Sequence, residues 1–306
     1  MASTAPSGSK RILTFRGIDV FVHWSWLVIG ILEIQWRADA YGSPLWNILE
    51  YIALFAIVLM HEFGHALACR SVGGTAQHIM LWPLGGVAYV RPPQRPGALL
   101  WSIAAGPLVN LVLGLMGLGL MFTLQASMPS MPVDLENALI TFIAINGVLF
   151  VFNMLPVYPL DGGQVLRSLL WFVIGRERSL TVAASIGLVA SVVGGAVALF
   201  VFQDLWMGAI AAYAAWQSWK GLKTARATSA ILALPRSPIA RCPACGEHPP
   251  QGPLWRCGNQ HAYDIFAAGG ACPLCGDKAE VSPCIHCGAV SAVEDFLPGA
   301  EEIPQP

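Results

Sequence analysis

The chain has 306 residues, 55% of them hydrophobic and only 11% charged, with a formal net charge of −1. Soluble domains carry about 25% charged residues, so most of this chain suits lipid rather than water. A net charge near zero gives no global field for nucleic acid.

In chain order, residues 1–9 read as a short disordered tail. They are not a signal peptide, because the first long apolar run begins beyond Arg16 and has no small-residue cleavage site. Six apolar spans follow, at about Val20–Ile34, Leu45–Ala68, Ala98–Leu124, Ala138–Leu155, Leu180–Phe202 and Leu205–Trp219. The second to fifth are long enough to cross about 30 Å of hydrocarbon; the sixth is marginal. No Lys or Arg occurs between Arg95 and Arg167.

Charge sets the orientation. Lys10, Arg11 and Arg16 precede the first span, and Arg70, Arg91 and Arg95 follow the second. Arg167, Arg176 and Arg178 lie between the fourth and fifth, and Lys220, Lys223 and Arg226 follow the sixth. The alternate loops are nearly bare, Arg37 excepted, so both termini are expected in the cytoplasm.

Two stretches beside the membrane are not helical. "RILTFRGIDVFVHW" has β-branched alternation around Gly17, and "HIMLWPLGGVAYVRPP" reads as a hairpin turning at Pro-Leu-Gly-Gly. Residues 224–241 read as a linker to a soluble module.

The second span contains "HEFGH". His61 and His65 are four apart, one turn apart on one helix face, which suits one zinc ion. Glu62 beside them can act as general base on water, the logic of the H-E-x-x-H pattern. A charged residue at the centre of a spanning helix costs about 3 kcal/mol, so this motif inside a span points to function. Nine residues from Arg70, the site lies roughly 13 Å below the cytoplasmic rim. A catalytic zinc usually has a third protein ligand. The fourth span ends in "FNMLPVYPLDGGQVL", where Pro156 and Pro159 break the helix. Asp161, just past the break, is the expected third ligand; the plainer alternative is a turn residue capping the next helix. His23 reads as an interfacial histidine and Cys69 as a small buried residue.

"HEFGH" followed by "NMLPVYPLDGG", with "FVHWSW", "LWPLGGVA" and "AGPLVNLVLG", resembles the site-2 protease family of intramembrane zinc metalloproteases over roughly residues 10–222. The resemblance is to its short, six-span, bacterial sporulation-protease-like subgroup. It implies His61, His65 and Asp161 as ligands of a catalytic zinc and Glu62 as the acid/base. It also implies that Asn153 holds the substrate or transition state. The hairpin carrying Gly85 and Gly86, over Leu84 to Val90, could capture an unwound substrate segment along its strand edge or be a plain cytoplasmic loop. The loop between the third and fourth spans leaves no room for a PDZ domain.

Seven of the eight cysteines lie between Cys242 and Cys287. "CPAC", "CGNQH", "CPLC" and "CIHC" supply Cys242, Cys245, Cys257, His261, Cys272, Cys275, Cys284 and Cys287, enough for two closed tetrahedral zinc sites resembling tandem zinc ribbons. Simple pairing puts the first four on one ion and the last four on the other; interleaving, or substitution of His261 by His248 or His286, is the alternative. About 50 residues make too small a core to fold without metal. Few basic residues lie among the knuckles, so no nucleic-acid partner is expected.

The expected architecture is a polytopic α-helical membrane protein. It has six transmembrane helices with a small membrane-edge β-sheet (residues 10–223), a linker (224–241), a zinc-ribbon-like module (242–295) and a flexible tail (296–306). The expected setting is the bacterial inner or cell membrane. The expected function is a zinc-dependent endopeptidase acting in or near transmembrane segments of a membrane-protein substrate, such as a membrane-tethered transcriptional regulator. A non-catalytic membrane adaptor or zinc-handling protein of the same fold is the alternative, against which the general base Glu62 speaks.

Overall fold

The computed structural model describes residues 8–82, 85–128, 130–158 and 160–297. The chain divides into two compact units, Met1–Leu222 and Lys223–Pro306. The expected terminal tails fall mostly outside the described residues.

The first unit opens with a hairpin, β1 (Ser9–Phe15) and β2 (Ile18–His23). Arg16 and Gly17 make its turn, both at positive φ. Then come α1 (Ser25–Trp36) and α2 (Pro44–Ser71), followed by β3 (Thr75–Trp82) and β4 (Gly85–Arg91). The four strands form one sheet in the order β1-β2-β3-β4. β2 and β3 pair in parallel, with Val20 opposite Ile79, and the other two pairings are antiparallel. A parallel pair needs a long crossover, and α1 with α2 supplies it.

One sheet face buries Ile18, Val20, Ala76, Ile79 and Leu81 against Trp26, Val58 and Ala66. Arg70, in the last turn of α2, fixes the sheet in place. Its guanidinium donates to the carbonyls of Arg16, Gly17 (2.9 Å) and Ala76 (3.0 Å).

The remaining helices are α3 (Pro96–Ser127), α4 (Val133–Asn153), α5 (Asp161–Ile174), α6 (Arg176–Phe200) and α7 (Leu205–Leu232). Among the described residues four helical stretches are long and apolar enough to cross a membrane: Pro44–Ser71, Pro96–Ser127, Val133–Asn153 and Arg178–Phe200. They correspond to the second to fifth expected spans.

The first expected span is corrected. Val20–His23 is strand, because its backbone pairs with β1 and, through Val22, with β3, and the helix that remains has 12 residues. At 1.5 Å per residue that is about 18 Å, too short to cross. The sixth is not among the four either. α7 is long, but its second half carries Lys220, Lys223 and Arg226. α7 also takes in residues 224–232 of the expected linker.

The second unit holds two small sheets, β5 (Trp255–Arg256) with β6 (Ala262–Tyr263) and β7 (Val281–Pro283) with β8 (Val290–Ala292). Its own core contains Tyr263, Ile265, Phe266, Val293 and Phe296 together with four of the cysteines.

Candidate metal centre

α2 carries His61 and His65 on one face, and both are buried. Their Nε2 atoms are 3.1 Å apart, and each is 3.3 Å from Asp161 Oδ2. Asp161 reaches them because the chain breaks after α4. Pro156 interrupts the helix, and residues 154–158 fold back over the start of α5. A Cβ at Gly162 would lie 2.3 Å from the Met154 carbonyl oxygen, and one at Gly163 2.6 Å from the Tyr158 nitrogen. Only glycines allow this reversal, which puts Asp161 in the first turn of α5. Ser218, in α7, donates to the Tyr158 carbonyl at 2.6 Å and pins the broken segment.

Three donor atoms from two distant parts of the chain therefore face one point. At that point Asp161 Oδ2 is buried yet accepts no hydrogen bond. The space is kept open by Gly106 of α3, where a Cβ would stand 2.3 Å from His65 Nε2 and 2.9 Å from His61 Nε2. Two imidazoles, one carboxylate and a free volume fit a zinc ion with three protein ligands.

The opposite ring atoms make both histidines suitable donors. His65 Nδ1 is 2.9 Å from the Ser102 carbonyl, which can only accept, so Nδ1 carries the proton. His61 Nδ1 is 2.5 Å from Asn110 Oδ1. The direction of that bond follows from a chain of amides. The Phe142 carbonyl accepts from Asn146 Nδ2 at 2.9 Å, and Asn146 Oδ1 accepts from Asn110 Nδ2 at 3.2 Å. Asn110 thus presents its oxygen to His61, Nδ1 donates, and Nε2 keeps a lone pair for metal. Asn110 and Asn146 are fully buried.

Asn110→Leu is expected to weaken zinc binding by about 10–100-fold, the usual cost of losing an outer-shell partner. Chelator competition on the purified protein measures it, with circular dichroism as the control for helix content. Unchanged affinity would show that His61 is oriented without Asn110.

Glu62 is 5% exposed and lies under β4. A Cβ at Gly86 would approach its Cγ to 2.3 Å, and the Ala88 amide donates to its carboxylate. Gly85 and Gly86 open β4, the last strand of the sheet order. Leu84 lies outside the described residues. Asn153 is the last residue of α4 and is not part of the three-donor cluster. His23 stacks on Trp82 with ring centroids 5.5 Å apart and meets Ser25 Oγ through Nδ1, also away from the cluster.

In the second unit the cysteines group as Cys242, Cys245, Cys284 and Cys287, and as Cys257, His261, Cys272 and Cys275. The simple sequential pairing is corrected. β5 and β6 fold residues 255–263 into a hairpin, and Gly258 N in that hairpin donates to Asp277 Oδ2 of the following knuckle, so the two inner segments meet each other. The outer knuckles are left to meet around them. His248 bonds the Ala240 carbonyl through Nδ1 at 2.8 Å, and neither it nor His286 is in a cluster.

Residues 50–133 and 125–197 match the model of peptidase family M50. The chain belongs to peptidase family M50. His61, Glu62, His65, Asn110 and Asp161 all lie within the matched M50 residues, and the cysteine-rich module lies outside them. A zinc metalloprotease of Methanocaldococcus jannaschii is 31% identical over 179 residues, 58% of this chain and 50% of that protein. Stage IV sporulation protein FB of Bacillus subtilis is 28% identical over 145 residues, 46% of each chain. The chain spans about half the length of these curated relatives. The solved site-2 protease from Methanocaldococcus jannaschii superposes with a TM-score of 0.49 at 23% identity, covering 70% of this chain and 95% of that one. Family and apolar helices together make this an integral membrane protein.

Proposed function

We propose that this chain is a zinc-dependent intramembrane endopeptidase, cutting peptide bonds within or near transmembrane segments of membrane-tethered regulatory proteins. The observation that carries the reading is the convergence of His61, His65 and Asp161 inside a membrane-spanning helix array, with Glu62 in the same turn as His61. Bound zinc would supply Lewis acidity for the scissile carbonyl and for water. His61, His65 and Asp161 are its ligands, and two further zinc ions belong to the cysteine-rich module. Glu62 accepts a proton from the attacking water and hands it to the leaving amine.

The substrate strand adds to the free edge of β4, where main-chain bonds would hold an unwound segment beside Glu62. Gly85 and Gly86 let that strand approach, and Asn153 contacts substrate from the end of α4. Both termini face the cytoplasm, following the placement of Lys and Arg. A zinc carrier would need the ligands but no general base, so Glu62 favours hydrolysis.

Metal removal tests the reading. With the chain in liposomes beside a synthetic single-span peptide, chelator should stop cleavage and added zinc should restore it. Asp161→Asn, with a neutral group replacing an anionic ligand, should lower zinc affinity by more than about 100-fold, beyond an outer-shell loss. Cleavage that survives chelation, or wild-type affinity in Asp161→Asn, would overturn it.

A further inference from the structure

The three C-x-x-C segments of the second unit share one backbone design. In each, the glycine after the second cysteine donates to the first cysteine's carbonyl at 2.8 Å: Gly246 to Cys242, Gly276 to Cys272, Gly288 to Cys284. In each, the first cysteine's amide bonds the residue five positions on: Glu247, Asp277 and Ala289, at 2.8–2.9 Å. The three glycines have φ of 74°, 73° and 77°, a left-handed conformation that other residues adopt at a cost. In the fourth segment Gln260 takes that place at φ 65°, and Cys257 N bonds His261 O. Peptide amides turn toward the sulfurs, from Ala244 and Cys245 onto Cys242 and from His286 and Cys287 onto Cys284.

Distances within each group match the edges of a metal tetrahedron. With Zn–S near 2.3 Å and Zn–N near 2.0 Å, S···S edges come to about 3.8 Å and S···N edges to about 3.5 Å. Cys242–Cys287 and Cys245–Cys284 are each 3.8 Å apart, and Cys257–Cys275 is 3.6 Å. His261 Nδ1 lies 3.5 Å from Cys257 Sγ and 3.9 Å from Cys272 Sγ. Disulfide sulfurs would be near 2.05 Å, so these are thiol clusters and not bridges. His261 offers Nδ1 as its donor.

We infer that the two zinc sites are nested and hierarchical: the inner site forms on its own, and the outer site closes only around a loaded inner one. This rests on the reading that the module holds two zinc ions. The inner Cys257 and Cys275 are 18 positions apart, and their supporting bonds stay local. β5 pairs with β6, Gly258 N donates to Asp277 Oδ2 at 2.6 Å, and Ala271 bridges Lys278. The outer Cys245 and Cys284 are 39 positions apart, and the inner site lies within that interval. The groups flanking the outer knuckles lean on the inner loop. Phe296 packs on Phe266 at 4.9 Å, and Trp255 donates to Ser282 Oγ at 3.1 Å. The inner site therefore preorganises the outer one, as a shortened loop and a surface to pack on.

The test is zinc per chain in the full-length protein, purified reduced in detergent, counted as loss relative to wild type. Cys284→Ser/Cys287→Ser and Cys242→Ser/Cys245→Ser should each lose one ion. Cys272→Ser/Cys275→Ser should lose two. A loss of one in all three variants, as sequential pairing or independent sites would give, overturns the hierarchy while leaving two tail ions. A loss of two in all three shows mutual dependence and overturns it as well. If no variant loses zinc, or the wild-type module holds iron, the two-zinc reading itself fails.

Discussion

Glu62→Gln should lower cleavage of a membrane-spanning peptide by about 10²–10⁴-fold, the range lost with a general acid–base group. The amide keeps the size and shape of the side chain but cannot accept a proton from water. Glu62 is not one of the three converging donors, so zinc content should stay at the wild-type value. Its surroundings also tolerate the change, since Gln can still face Gly86 and Ala88 of β4. Turnover in liposomes together with zinc per chain measures both halves. Residual activity within threefold of wild type would remove Glu62 from the mechanism.

Gly106→Ala should abolish zinc in the membrane cluster, and cleavage with it. The added methyl would stand 2.3 Å from His65 Nε2, 2.5 Å from His65 Cε1 and 2.9 Å from His61 Nε2, in the space the three donors share. Neither ring can step aside easily, because His61 is held by Asn110 and His65 by the Ser102 carbonyl. Alanine is otherwise a better helix former than glycine by about 1 kcal/mol, so α3 should gain helix propensity while the site is lost. Gly119→Ala in the same helix is the control, since nothing lies within 4 Å of a Cβ there. Wild-type zinc in Gly106→Ala would show that the metal does not sit between these histidines.

The residues that face one another in the cluster were legible because they are ionisable groups in apolar surroundings, where each stands out. Asn110 and Gly106 were not. Asn110 is neutral and sits in "AGPLVNLVLG", and one more glycine in a glycine-rich span gives no signal; only the fold sets one against His61 and the other against His65. The first span misled because Val20 to Ile34 is apolar without a break, although its first residues pair as a strand and the rest coil into a helix. In the cysteine-rich module the spacing satisfied sequential and nested pairing equally. The nested grouping follows from the Gly258 amide bonding the Asp277 carboxylate across the two inner segments, a contact that no count of intervening residues contains.

The most direct test of intramembrane hydrolysis is a comparison of protein N-termini in membranes from cells making the wild-type chain or Glu62→Gln at equal levels. New termini are expected within, or a few residues from, transmembrane segments of other proteins, present with the wild type and absent with Glu62→Gln. Identical termini in the two samples, or wild-type termini confined to water-exposed loops, would contradict it.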